Sequence, residues 1–166
     1  MMKRTAIILT LLMAMAAMSK TPAIVPMPAA CDVLQAIDIA ATLGPGTTYM
    51  PGIQTENENV RLSLCSADTP DLSARMTLMV RENLVAQVPD AATLRTLMID
   101  ELRATLGQAA IIEEVEIGDA AIWVGEIGQL TVWHRAGRVM FIFSPTPSQD
   151  RAAAITAAQK TLAAFP

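Results

Sequence analysis

Residues 128–144 read GQLTVWHRAGRVMFIFS, and their polar and apolar positions alternate with a period of two. Leu130, Val132 and His134 fall on one side of an extended chain; Thr131, Trp133 and Arg135 fall on the other. After a turn at Ala136-Gly137, Val139, Phe141 and Phe143 oppose Met140 and Ile142. This period predicts two neighbouring strands. Both sides of the second run are apolar, which predicts a strand covered on both faces. Trp123 and Trp133 then read as packing residues near the sheet rim, where an indole N–H finds a partner.

The same reading extends along the chain. AAIWVGE (120–126) predicts a strand turning at Glu126-Ile127-Gly128, and AIIEEVEIGD (110–119) predicts another that ends in a turn at Gly118-Asp119. VRLSLCSA (60–67) alternates Val60, Leu62 and Leu64 against Arg61, Ser63 and Cys65. SARMTLMVREN (73–83) follows the DTPD turn, so the pair predicts an antiparallel hairpin. TTYMPGIQTENEN (47–59) carries turn residues and predicts a loop.

Three segments carry helical signals. CDVLQAIDIAATLGPG starts at Cys31, with Asp32 available as a cap, Leu34, Ile37 and Ala41 on one face, and Gly44-Pro45 as a stop. PDAATLRTLMIDELRATLG has Asp90 as cap, a stripe of Leu94, Leu97, Met98, Leu102 and Leu106, and Gly107 as stop. The last helix begins at Ser148 or Asp150 and shows a stripe of Ile155, Ala158, Leu162 and Phe165. The order α-β-β-α-β-β-β-β-α, with tight turns between strands, predicts an α+β fold. It consists of an antiparallel β-sheet packed by three α-helices.

The N-terminus alters this picture. Lys3 and Arg4 precede an uncharged apolar run from Ala6 to Met18, and small residues offer cleavage after Ala16 or Ser19. That is the pattern of an export signal, and the run is shorter than the ~20 residues of a membrane span. The expected organisation is a signal peptide over 1–19, a mobile, proline-rich linker over 20–30, and one domain over 31–166. The mature chain should carry no membrane span and be periplasmic or secreted. Pro28 replaces the leucine-like residue that a lipid-attachment site before Cys31 requires. Cys31 and Cys65 are then an even pair in an oxidising compartment, which predicts a disulfide.

Charge narrows the partners. Without Lys3 and Arg4 the chain has ten basic and sixteen acidic side chains, a net charge of about −6. Such a surface disfavours nucleic acid, whose phosphates need clustered Lys and Arg. No phosphate loop and no spaced metal-ligand set is present, so the expectation is no cofactor and no metal. His134 is the only histidine, and no G-x-S-x-G surrounds a serine.

The motifs ACDVLQAIDIAATLG (30–44), LSLCSA, IGDAAIW (117–123) and an alanine-rich last helix occur here in that order. Together they resemble a group of small bacterial envelope proteins that open with a Cys-led helix and have a PsbP-like α/β/α sandwich. The resemblance spans about residues 30–165. It matches Cys31 and Cys65 to the family's cysteine pair and Gly118-Asp119 to its turn. It implies a fold and a compartment but no catalytic residue.

The expectation is therefore a non-enzymatic binding or accessory protein. Its partner would be another envelope protein or a small apolar ligand held between sheet and helices. Trp123, Trp133, His134, Arg135 and Arg138 are the candidate contacts. Two rival readings are a small hydrolase or inhibitor-like factor using His134 with Asp119 or Glu126, and a cation-binding protein using the acidic segment 113–119.

Overall fold

The computed structural model describes residues 25–148 and 150–166. The predicted signal peptide and the first part of the linker lie outside the described residues.

The alternating segments form a seven-stranded sheet, antiparallel throughout. Its strands are β1 (Thr48–Glu56), β2 (Val60–Asp68), β3 (Arg75–Asn83), β4 (Ile112–Glu114), β5 (Ala120–Val124), β6 (Gln129–His134) and β7 (Val139–Thr146). The spatial order is β1-β2-β3-β7-β6-β5-β4. The chain builds one half as a meander and crosses to the far edge through a helix. It then returns strand by strand until β7 pairs with β3. The doubly apolar β7 is central, as its pattern predicts.

Among the described residues, four helices flank the sheet: α1 (Ala30–Ala36), α2 (Ala40–Leu43), α3 (Ala91–Leu106) and α4 (Arg151–Ala164). The predicted three become four because the first one breaks. Asp38 takes φ 50° between α1 and α2, and Ile37 and Ile39 both turn inward. Asp32 sits in the first turn of α1 and does not cap it. Instead the Ala30 N–H donates to the Ser63 hydroxyl at 2.9 Å.

α1, α2 and α4 lie on one face, called face A. Val33 and Leu34 meet Leu78 and Val80 there, and Ala154, Ala157 and Ala158 meet Val132, Phe141 and Phe143 in one core. Alanines let α4 approach the sheet closely, so its buried stripe is Ala154, Ala157, Ala158 and Thr161. The predicted Ile155, Leu162 and Phe165 lie on its flanks, half-buried. Asp150 caps α4 by accepting the Ala153 N–H.

Among the described residues, α3 is the helix on the other face, face B. Asp90 caps it as predicted, accepting the Thr93 N–H at 2.9 Å. Leu94, Met98, Ile99 and Leu102 pack on Ile122, Val124, Trp133 and Met140. Leu97 and Leu106 of the predicted stripe stay outside, Leu97 58% exposed.

Two further expectations are corrected. Residues 48–56 form a strand rather than a loop. It is an outer strand paired only with β2, nearly all of it is exposed, and it is interrupted between Pro51 and Gln54, so it needs no apolar alternation. On β2 the core side is Ser63, Cys65 and Ala67, while Leu62 and Leu64 are half-buried on face B. Small residues are required there because α1 lies directly above. The described end of the linker also makes contacts with the domain. Met27 is 4% exposed within the face A core, and its N–H donates to the buried Glu82 carboxylate.

The Cys31–Cys65 disulfide joins α1 to β2 across this layer, with a Cα–Cα distance of 5.1 Å. A disulfide is consistent with a secreted or periplasmic protein. Among the described residues, no helix is long and apolar enough to cross a membrane.

Candidate functional site

The register on face B carries one row of side chains across the sheet: Leu62, Arg81, Met140, Trp133, Ala120. α3 rests on β5 and β6 and so covers the Ala120 end of this row. Among the described residues, no helix lies above the arginine end, and Met50 farther out on the same face is 58% exposed. Between the two ends lies a groove of ≈320 Å³. Trp133 and Met140 form its floor, and Leu94, Leu97 and Met98 form the α3 wall. Its polar lining comes from Arg81 and Asn83 on β3 and Glu101 on α3.

Local chemistry fixes the shape of this groove. Gly137 has φ 83° in the β6–β7 turn, and a Cβ there would stand 2.7 Å from the Pro89 carbonyl and 2.9 Å from Leu94. The turn therefore packs directly on the entry to α3. The Arg138 guanidinium reaches back to the carbonyls of Asn83 and Val85 at 2.9 and 3.0 Å, fastening the β3–α3 loop. The Asp90 cap completes this end, and the Thr93 N–H and hydroxyl hold its carboxyl below the usual carboxylate range.

The five candidate contact residues do not converge on one site. Trp133 is 2% exposed and lines the groove on face B. Trp123 faces the opposite side and belongs to the face A core. The His134 Nε2–H donates to the Phe165 carbonyl at 2.9 Å, which fastens the end of α4 to β6. The Arg135 guanidinium donates to the Val25 carbonyl at 2.7 Å and the Pro166 carbonyl at 3.2 Å. It thereby ties two distant chain segments to one turn. Arg138 borders the groove through the loop it fastens.

Several residues of the two rival readings have structural partners. Asp119 accepts the Ala136 N–H at 2.7 Å. It thereby supports a turn in which Arg135 and Ala136, both at φ 54°, take the left-handed region that non-glycine residues avoid. Glu126 accepts the Ile111 N–H. In the acidic segment, Glu113 pairs with Arg151 and Glu114 with Arg95. Among the described residues, no three His, Cys, Asp or Glu side chains gather as a metal-binding group.

Sequence reasoning missed Arg81, Leu97, Met98 and Met140 as members of one site. The one available signal was Leu97, which sits at the edge of the α3 stripe and not at its centre. Comparison with family models, with curated proteins and with solved structures finds no match.

Proposed function

We propose that this is an exported, non-enzymatic binding or accessory protein of the bacterial envelope, and that its binding site is the face B groove. One observation carries the reading. A groove of ≈320 Å³ with a tryptophan and methionine floor lies beside a helix whose Leu97 remains 58% exposed. That volume is at the low end of small-molecule sites, which are typically about 300–1,000 Å³, mostly apolar, with a few polar groups. A small ligand with a substantial apolar part fits that lining. The family resemblance and the N-terminal pattern support the envelope location.

The test is native mass spectrometry of unreduced protein isolated from periplasm. The account expects a mass lacking residues 1–16 or 1–19, two hydrogens below the fully reduced chain, with an added small mass that leaves on denaturation. Turnover of generic hydrolase substrates, abolished by His134→Ala, would contradict it.

A further inference from the structure

We infer that the groove takes a single-chain amphiphile with a singly charged acidic head; this rests on the binding function proposed above and names its ligand class. Among the eight arginines of the described residues, Arg61, Arg75, Arg95 and Arg151 pair with carboxylates, and Arg135 and Arg138 are spent on backbone carbonyls. Among the described residues, Arg81 and Arg103 have neither kind of partner, and of these two Arg81 is the one that lines the groove. On β3 it stands two residues from Asn83, which also lines the groove, so guanidinium and carboxamide share one side of the strand. Together they offer donors to a carboxylate or phosphate oxygen, with the planar guanidinium suited to bidentate contact.

The row of side chains gives the ligand its direction. Met140 is the direct neighbour of Arg81 on β7, and Trp133 is the next on β6. Strands are about 4.8 Å apart, so the apolar floor extends roughly 10 Å from the arginine and ends beneath α3. A head at Arg81 therefore leaves the chain lying over Met140 and Trp133, along the Leu97 and Met98 wall. The volume suits one acyl chain, not two. Glu101 on the α3 wall sets the charge of the head: it tolerates a monoanion better than a dianion.

The inference is tested by calorimetry of the processed, disulfide-bonded protein with decanoate, decanol, decyl phosphate and acetate. Decanoate is expected to bind about tenfold more tightly than decanol, as a charge-assisted hydrogen bond warrants. Acetate is expected not to bind. Arg81→Met is expected to remove the preference for decanoate while leaving decanol affinity in place. Arg81 is exposed, so this change leaves the core untouched. Glu101→Gln is expected to tighten decyl phosphate selectively. Equal affinity for decanoate and decanol would overturn the acidic head and leave the groove standing. Decyl phosphate outcompeting decanoate would overturn the singly charged head. Binding of none of the chain-bearing probes would overturn both this inference and the groove as a ligand site.

Discussion

Opening the Cys31–Cys65 disulfide is expected to lower stability by about 4 kcal/mol. The bond closes a loop with a sequence separation of 34. At 25 °C the chain-entropy relation for that loop gives a little under 4 kcal/mol, which acts through the unfolded state. Contacts around the bond support assigning the effect there. Cys65 is fully buried, and Val33 and Leu34 of α1 are fully buried on the same core, so packing holds the layer in place without the bond. The loss is a large fraction of the ~5–15 kcal/mol that a domain of this size has in total. Urea unfolding of the oxidised protein and of the Cys31→Ala/Cys65→Ala variant measures it. The variant should unfold at a lower midpoint and with a larger m-value, since an uncrosslinked chain exposes more surface. A difference below about 1 kcal/mol, or two free thiols in protein taken from the periplasm, would refute the reasoning.

Three other consequences follow from named contacts. Glu82→Ala should destabilise by about 2–3 kcal/mol, because it strands the buried Met27 N–H and removes one carboxylate from Arg61; hydrogen exchange should rise first at residues 25–30. His134→Ala should cost about 1 kcal/mol in denaturant unfolding, through the lost Phe165 contact, while leaving decanoate affinity unchanged. Asp90→Ala should weaken α3 at neutral pH. The folded protein holds the Asp90 carboxyl below its ordinary value, so this stabilisation is full above that value and is lost as pH falls through the folded one. Wild-type and variant urea midpoints should therefore converge in the acid range, below about pH 4.

The residues that announced the fold were those whose burial imposes a period. β6 and β7 carry apolar residues on both sides because each is covered on both faces, and α3 is bounded by a side-chain cap and a glycine. β1 was invisible because an exposed outer strand needs no apolar side. The inward side of β2 was misread because helix proximity there favours Ser63, Cys65 and Ala67 over leucine. Asp38 hid the break in the first helix, since its apolar neighbours continue a plausible stripe across it. The contacts of Val25 and Met27 were not legible because their partners, Arg135 and Glu82, lie 110 and 55 residues away in the chain.

The candidate site was legible only at Trp133. A groove depends on what a helix leaves uncovered, and hydrophobic spacing on α3 does not reveal where across the sheet the helix lies. The cross-strand row from Arg81 to Trp133 exists only through the β3–β7 pairing, which joins the two halves of the chain.

The most direct test of the face B groove as the binding site is a methionine-methyl NMR titration of the processed protein with decanoate. Met98 and Met140 line the groove and Met79 packs beside it, while Met27 and Met76 lie in the face A core. The account predicts saturable shifts at Met98 and Met140, a smaller one at Met79, and none at Met27 or Met76. Shifts confined to Met27 and Met76, or no shift at millimolar ligand, would contradict it.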